Sequence, residues 1–320
     1  MASRIVTLTV NPAVDVAMDV AAMRAGDTTR ASAESYDPGG GGINVSRVVH
    51  ALGGDTRAIF ARGGATGRFL EEMLSARGVP CRAIAIGGTT RISVTVHDKA
   101  TGSEYRFVPP GPALSAADRE RILLALSRSR ADWLVASGSL APGLPADFYA
   151  RVAHLARKRG IRFALDTSGE ALKAALHQGI DLLKTSRGEF LSIAPAQALD
   201  HDREALGREA STLVAAGAAA MIALTLGDSG AVLATADRQV FQPAPPVRVR
   251  SSVGAGDSFL AGLVLGLSRR QSLEDALRLG AAAAAAAVME PGTARVDAKQ
   301  VRARLRSSDV SAAAGEGVSR

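Results

Sequence analysis

A chain of 320 residues with 47% hydrophobic residues and a net charge of +7 is long enough to bury a large core. This composition excludes a disordered chain, and no apolar run is long enough to cross a bilayer without interruption. The single cysteine, Cys81, excludes an internal disulfide, and the five histidines lack the close spacing of metal ligands. We therefore expect a cytoplasmic globular protein with no membrane partner.

The positive charge does not by itself indicate a nucleic-acid partner. Only five of the 38 basic residues are lysines, and the arginines are scattered among alanines, as in a compositional bias of the genome. The densest basic run, KQVRARLRSS at 299–308, has no aromatic residues interleaved with it. We expect no nucleic-acid partner, since a small phosphorylated substrate fits the charge equally well.

Apolar, strand-like runs alternate with helix-length segments along most of the chain. The strand-like runs lie at 4–10, 57–62, 131–138, 161–166, 181–185 and 220–226, and two clear helical segments lie at 43–54 and 68–78. This alternation predicts an α/β fold with a mainly parallel central sheet and helices on both faces. Ligands bind such sheets beyond the carboxyl ends of the strands, so the glycine-rich turns there are the candidate site.

Two segments, at 15–40 and 89–111, interrupt this alternation. They carry short stretches in which polar and apolar residues alternate, and DKATG in the second is typical of a hairpin turn. We expect a small β-sheet lid, contributed by about 15–40 and 89–108, over a single domain that spans 1–306. The small, polar residues of 307–320 predict a disordered tail.

Four consecutive glycines precede the first predicted helix, in DPGGGGINVSRV at 37–48. A flexible linker is one interpretation, but linkers rarely run directly into a strongly patterned helix. Glycines also let a backbone approach a ligand closely, and the amide of Asn44 can bond a hydroxyl. We favour a cradle for a sugar or polyol, formed by Gly40, Gly41, Gly42 and Asn44.

The stretch VGAGDSFLAG, at 253–262, places glycines and an acid at the start of another predicted helix. Unpaired N–H groups and the helix dipole favour an anion at such a start. Asp257 either complements the dipole or accepts the proton of a hydroxyl that attacks a phosphoryl group. No Gly-Lys-Ser/Thr loop is present, and Phe259 replaces the third glycine of a dinucleotide fingerprint, which disfavours P-loop ATPases and dehydrogenases.

Three other strand ends leave two interpretations open. SGSLAPGLP at 137–145 is either a plain turn or part of the site. LDTSGEAL at 165–172 is best interpreted as a helix N-cap, with Asp166 and Ser168 before the helix. TLGDSGAVLAT at 225–235 is either a plain hairpin or, through Thr225 and Gly227, a contact to nucleotide phosphates.

The two glycine-rich stretches together resemble the paired signatures of the ribokinase-like, PfkB-type carbohydrate kinases. The resemblance covers about residues 4–306, and TLTVNPAVD and RFVPPGPALS are similar to the phosphofructokinase and tagatose-phosphate kinase branch. The 1-phosphofructokinases and tagatose-6-phosphate kinases usually have a lysine where this chain has Gly41, so the run is more similar to the 6-phosphofructokinases.

The resemblance implies an ATP- and Mg²⁺-dependent kinase that forms a homodimer through its β lid. It places the catalytic base at Asp257 and the anion hole at Gly254, Ala255 and Gly256. It places sugar-phosphate contacts at Asp15, Gly40, Gly41, Gly42, Asn44, Arg91 and Ser139. It places ATP contacts at Lys184, Ser186, Thr225, Gly227 and Gly230, with Glu189 acting indirectly on Mg²⁺, and a monovalent cation, K⁺, at Ser251, Val253, Ala287, Glu290 and Gly292.

One departure concerns the nucleotide side of the implied site. The family commonly has Lys-Pro-Asn-x-x-Glu, whereas residues 184–189 read KTSRGE. Lys184 and Glu189 remain, but Thr185 and Ser186 replace the proline and the asparagine. The resemblance implies phosphorylation of the 1-hydroxyl of fructose 6-phosphate. Tagatose 6-phosphate and fructose 1-phosphate are alternative substrates, and a sugar-phosphate-binding regulator with weakened catalysis is the alternative that Ser186 suggests.

Overall fold

The computed structural model describes residues 3–194, 202–290 and 292–315. The strands within these ranges are β1 Arg4–Thr9, β2 Ala13–Val20, β3 Ala31–Gly39, β4 Asp55–Arg62, β5 Cys81–Ala85, β6 Arg91–Asp98, β7 Ser103–Phe107, β8 Trp133–Ser137, β9 Arg162–Asp166, β10 Leu182–Ser186, β11 Ile222–Thr225, β12 Ala231–Ala234 and β13 Gln239–Gln242. All six predicted strand-like runs therefore form strands, each shortened or extended by a few residues.

The helices begin and end close to the predicted positions where the pattern was strong. They are α1 Gly41–Ala51, α2 Gly64–Ala76, α3 Ala116–Ser127, α4 Phe148–Lys158, α5 Gly169–Ala175, α6 Arg187–Leu191, α7 Arg203–Ala215, α8 Ala255–Ser268, α9 Leu273–Val288 and α10 Ala298–Gly315. Helix α1 begins inside the glycine run, so this run is not a linker. No described helix combines the length and the apolar character needed to cross a membrane.

In the described part of the chain, nine strands form the central sheet in the order β13-β12-β11-β10-β9-β8-β1-β4-β5. The pairs from β5 to β11 are parallel, and the two pairs β11–β12 and β12–β13 are antiparallel. The two faces are covered separately: one apolar cluster includes side chains of α3, α4, α5 and α7, and the other includes side chains of α1, α8 and α9. The predicted α/β fold is confirmed.

The two interrupting segments form the second described sheet, whose strand order is β3-β2-β6-β7. Strands β2 and β6 are parallel, whereas the pairs β2–β3 and β6–β7 are antiparallel. Val14 and Val16 of β2 pack with Ile43 of α1 and Leu70 of α2 in a third apolar cluster. This cluster attaches the small sheet to the central one, next to the glycine run.

Helix α10 runs from Ala298 to Gly315, so it extends into the segment from residue 307 that is predicted to be a disordered tail. Alanine is the strongest helix former, and three alanines occupy 312–314. Residues 316–320 lie outside the described residues.

Candidate active site

The central sheet reverses its direction of growth at β1. The chain passes from β1 to β4 on one side, and β8 later joins β1 on the other side. Loops that follow such strands diverge, and they leave a crevice at the carboxyl edge of the sheet. Helix α1 packs across this position: a Cβ at Gly41 would lie 2.1 Å from the Ser137 Oγ, and one at Gly42 would lie 2.4 Å from the Leu8 carbonyl oxygen. Glycine is required at both positions by this close approach.

The start of α8 faces the same crevice. Gly254 is the N-cap residue, with φ of 80°, and a Cβ there would lie 2.7 Å from the backbone nitrogen of Ala294. A Cβ at Gly256 would lie 2.9 Å from the Lys184 Nζ. The positive φ of the turn therefore requires glycine at Gly254, and Gly256 leaves room for the Lys184 ammonium beside the helix. Ala255 donates its N–H to the Ser252 carbonyl at 3.3 Å. This N–H is therefore paired, whereas the sequence predicted unpaired N–H groups at the helix start.

The Asp257 carboxylate is held by two side chains from the opposite wall of the crevice. Asn44 Nδ2 donates to Asp257 Oδ2 at 2.9 Å, and Ser137 Oγ lies 3.1 Å from Oδ1. Burial and the nearby Asp166 raise the pKa of Asp257, against the hydrogen bonds from Asn44 and Ser137 and the charge of Lys184. A buried carboxylate with a raised pKa is well suited to accept a proton near neutral pH.

Lys184 and Asp166 form a buried ion pair directly beside Asp257. Lys184 lies in the middle of β10, opposite Asp166 at the end of the neighbouring strand β9, and Lys184 Nζ lies 3.0 Å from Asp166 Oδ1. Burial acts to lower the pKa of Lys184, but the carboxylates of Asp166, Asp257 and Glu189 outweigh it and raise the pKa. The helix N-cap predicted in this segment falls on Ser168, the N-cap residue of α5, although its side chain makes no capping bond, and Asp166 pairs with the lysine.

A second set of polar side chains lies where the lid meets the crevice. Arg91 of β6 donates to the carbonyl oxygens of Pro109 at 2.8 Å and Asn11 at 2.9 Å. Burial lowers the pKa of Arg91, and Asp15 opposes that shift. Asn11 Nδ2 lies 3.4 Å from the Oγ of Ser139, whose side chain is otherwise exposed. Asn11 therefore contacts both Arg91 and Ser139, and Asp15 acts on Arg91 through its charge.

Asp15 carries a charge at an energetic cost to the fold. Burial raises its pKa from 3.8 to about 6, against a hydrogen bond from Thr293 and the charges of Arg106 and Arg47. The folded protein therefore binds this proton more tightly than the unfolded chain does, and ionisation of Asp15 lowers the free energy of unfolding as the pH rises. A destabilising carboxylate in a crevice is typical of a ligand-binding group.

We expect Asp15→Asn to raise Tm at pH 8, because the amide removes the buried charge. The difference in Tm between Asp15→Asn and the wild-type protein should narrow as the pH falls from about 6 towards 3.8, where the wild-type carboxyl is also neutral. Thermal unfolding without ligands at several pH values measures this difference. A lower Tm at pH 8 would contradict the expectation.

The residues predicted for ATP lie along the carboxyl edge of β10 and β11. Ser186 is the N-cap of α6, and its backbone N–H and Oγ both lie 2.7 Å from Glu189 Oε2, which closes a capping box. Thr225, opposite Ser186 in the sheet register, donates to the Thr185 carbonyl at 3.3 Å. Gly227 begins a 3₁₀ turn, and Gly230 is the residue that follows it. A Cβ at Gly230 would lie 2.2 Å from the Gln242 carbonyl oxygen. All of these contacts are within the protein, so the assignment of these residues to ATP stays a prediction.

The predicted cation residues are only partly brought together. Ser251, Val253 and Gly292 line one small cavity, which Asp15 and Asp37 also line. Ala287 lies at the end of α9, and the Glu290 side chain turns to α10, where it accepts a bond from Gln300 at 2.8 Å. Among the described residues, no group of three or more His, Cys, Asp or Glu side chains is arranged to hold a metal ion.

Sequence reasoning missed four residues that shape the site: Asn11, Asp37, Arg47 and Ser137. Asn11 lies two residues after the end of β1, and Ser137 ends β8, so their position near strand ends was a usable signal. Arg47 follows Asn44 by three residues, and this spacing places both side chains on one face of a helix. Asp37 had no local signal, because its partners lie in distant segments.

A family model described as the pfkB family carbohydrate kinase matches residues 9–299. The chain belongs to this family.

The curated relatives include the ATP-dependent 6-phosphofructokinase isozyme 2 of Mycobacterium tuberculosis (strain H37Rv), 43% identical over 91% of this chain and 86% of that protein. The protein of the same name from Escherichia coli (strain K12) is 37% identical over 91% and 94%. Solved structures of Escherichia coli phosphofructokinase-2, with potassium and with substrates and products, each match with a TM-score of 0.90 at 34% identity and cover 95% of this chain and 99% of that chain. Relatives named 1-phosphofructokinase and tagatose-6-phosphate kinase are also similar, at 34% and 29% identity.

Proposed function

We propose that this chain transfers the γ-phosphoryl group of ATP to the 1-hydroxyl of fructose 6-phosphate. The observation that carries the proposal is the Asp257 carboxylate at the start of α8, held 2.9 Å from the Asn44 amide of the glycine-rich helix start. The relatives named 6-phosphofructokinase isozyme 2 support this choice of substrate.

Asp257 accepts the proton of the attacking hydroxyl in this proposal. Its raised pKa makes it a stronger base than an exposed carboxylate, while the bonds from Asn44 and Ser137 fix its orientation. The backbone N–H groups of Gly256 and Asp257 have no acceptor within the helix, and they offer partial positive charge to the transferred phosphoryl group. Lys184, beside Gly256, adds a full positive charge on the same side.

The sugar phosphate occupies the lid side of the crevice in this proposal. A guanidinium can pair with a phosphate through two parallel bonds, which suits Arg91 to the 6-phosphate. Asp15, Asn44 and Ser139 offer a carboxylate, an amide and a hydroxyl to the sugar hydroxyls, with the backbone of Gly40, Gly41 and Gly42 alongside.

The residues present fit a magnesium ion that arrives with ATP. Mg²⁺ keeps several waters and needs only one or two carboxylates besides the phosphates, and the charges of Asp166 and Glu189 both act on Lys184. Mg²⁺ held by these carboxylates would neutralise charge on the phosphates. We also include K⁺ in the proposal, near Ser251, Val253 and Gly292, which share a cavity, with Ala287 and Glu290 contributing from the end of α9.

The test is coupled ADP release with Mg-ATP and, in parallel, fructose 6-phosphate, tagatose 6-phosphate and fructose 1-phosphate. The expected result is the highest kcat/KM for fructose 6-phosphate. A preference for another of the three sugar phosphates would change the assigned substrate but leave the assignment as a kinase unchanged. Sugar-phosphate binding without turnover of any would favour the regulator, and would make Ser186→Asn the first reversion. The cytoplasmic location is part of the proposal, because both proposed substrates are cytoplasmic metabolites.

We extend the proposal to a homodimer formed through the lid. Phe107 pairs with Val94 and Tyr105 pairs with Val96 across β6 and β7, so alternate apolar residues share one face of the small sheet. Phe107 is 54% exposed and Tyr105 41% exposed, and a second copy of the chain would cover them.

We expect Phe107→Glu to convert the dimer to a monomer in sedimentation velocity, since a charge would be buried in the interface. Leu124→Glu is the matched control and should leave the dimer intact, since Leu124 is 48% exposed on α3, which packs on the central sheet. An unchanged dimer in the Phe107 variant would exclude this face as the interface.

A further inference from the structure

Arg47 connects the lid to the side chains that surround Asp257. Its guanidinium is almost completely buried, and its Nη1 donates to three oxygens: Pro38 O at 3.0 Å, Thr293 O at 2.9 Å and Asn44 Oδ1 at 3.0 Å. Burial lowers its pKa to about 10, against the charge of Asp37, so the guanidinium stays protonated at neutral pH. A fixed cation therefore lies against one end of the Asn44 amide.

The contact with Arg47 determines which way the Asn44 amide points. A guanidinium has only donors, so it can bond the amide oxygen but not the amide nitrogen. The nitrogen is then directed to the Asp257 carboxylate, 2.9 Å away. The reversed amide would place its oxygen against a carboxylate and its N–H groups against a cation, which are two repulsive contacts. Arg47 therefore selects the orientation in which Asn44 donates to the base.

Arg47 is itself held by an ionic cluster centred on Asp37, near the end of lid strand β3. Asp37 lies 3.6 Å from Arg47, 3.0 Å from Arg77 and 3.0 Å from Arg295, and it accepts the Thr293 N–H at 3.2 Å. Its side chain is only 3% exposed, so each contact acts where water screens little. The cluster joins the lid strand, α1 and the segment that packs on Gly254.

We propose that Arg47 is a positioning residue that holds the Asn44 amide for Asp257 and makes this orientation depend on the docking of lid strand β3. This inference rests on the proposed function. Arg47 touches neither substrate nor reacting atoms, and its whole effect on turnover passes through Asn44. Removing Arg47 matters only while the Asn44 amide is present.

The test is a double-mutant cycle on kcat, with Arg47→Lys, Asn44→Ala and the double variant. Lysine keeps the positive charge, but its one nitrogen cannot take the places of both Nη1, which bonds the three oxygens, and Nη2, which faces Asp37. We expect Arg47→Lys to lower kcat by about 10- to 100-fold, with the KM for Mg-ATP unchanged, as for other supporting residues of an active site. In the Asn44→Ala background the same change should alter kcat by less than about 2-fold, because coupled residues are not additive. Arg77→Gln, which removes another partner of Asp37 without touching Asn44, is the control and should retain kcat.

Additive effects in the cycle, or an unchanged kcat in Arg47→Lys, would overturn the inference. If Arg47→Lys does not fold, Arg47→Met is measured in its place. Failure of both to fold while Arg77→Gln folds would assign Arg47 to stability and also overturn it. Failure of the proposed function gives a different result, because the wild-type protein would then show no turnover of fructose 6-phosphate. In that case the cycle is measured with whichever of the three sugar phosphates the wild-type protein phosphorylates.

Discussion

Asp257→Asn is expected to lower kcat by on the order of 10³-fold, because the amide cannot accept the proton of the attacking hydroxyl. The substitution keeps the shape of the side chain, so the KM values should change little. It should also raise Tm near neutral pH. A carboxyl group whose pKa is raised in the folded state destabilises the fold once it is ionised, and asparagine removes that charge. Steady-state kinetics and thermal unfolding of one preparation measure both effects.

Asp118→Asn is the matched control, since both aspartates are the third residue of a helix. Asp118 accepts bonds from the Ser115 N–H at 2.8 Å and the Ser115 Oγ at 2.6 Å in a capping box. Burial acts to raise its pKa, but these bonds and Arg121 lower it, so ionised Asp118 stabilises the fold above its unfolded pKa. Asp118→Asn should lower Tm and retain kcat. If Asp257→Asn behaves in the same way, Asp257 only complements the dipole of α8.

Lys184→Met is expected to impair both stability and phosphoryl transfer. It leaves the buried charge of Asp166 without its cationic partner, with only the Ser137 hydroxyl bonded to it, and breaking a buried pair in this way costs about 3–5 kcal/mol of unfolding free energy. Loss of the ammonium beside the start of α8 should lower kcat/KM for Mg-ATP by on the order of 10²-fold. The raised pKa of Lys184 keeps the pair formed below the lysine's ordinary pKa, so the stability difference should stay constant from pH 6 to 9.

The double variant Lys184→Met with Asp166→Asn separates the two roles of this pair. Removing both charges should restore much of the stability, because no uncompensated charge remains. It should not restore kcat/KM for Mg-ATP, since the cation is still missing. Chemical denaturation and initial rates at varied Mg-ATP measure the two effects. Recovery of both together would reduce Lys184 to a structural partner of Asp166.

Ser186 illustrates where a resemblance between sequences stops short of a structure. The replacement of an asparagine suggested weakened catalysis. In the structure the serine caps α6 and holds the Glu189 carboxylate against the helix start. The local fold is therefore preserved by a different side chain, and the assay with Mg-ATP decides whether the nucleotide contact is preserved with it.

Local sequence patterns were enough to predict the α/β architecture and the two glycine-rich parts of the site. Alternation of apolar strands and helical segments is a local property, so the strands and helices along the chain and the small second sheet could be predicted without contacts. The glycines before α1 and α8 were equally visible, because a close approach of the backbone or a positive φ excludes other residue types at the position itself.

Which side chains work together depends on how distant segments pack. Asp166 lies in a segment whose local pattern indicated only a helix N-cap, and its pairing with Lys184 follows from the side-by-side packing of β9 and β10. Asn44 and Asp257 are 213 positions apart and Asp37 and Thr293 are 256 apart, so no local pattern records either contact. Burial then set the pKa of Asp15 and of Asp257. The pKa and orientation of a charged group depend on the packed surroundings, which exist only after the distant segments have met.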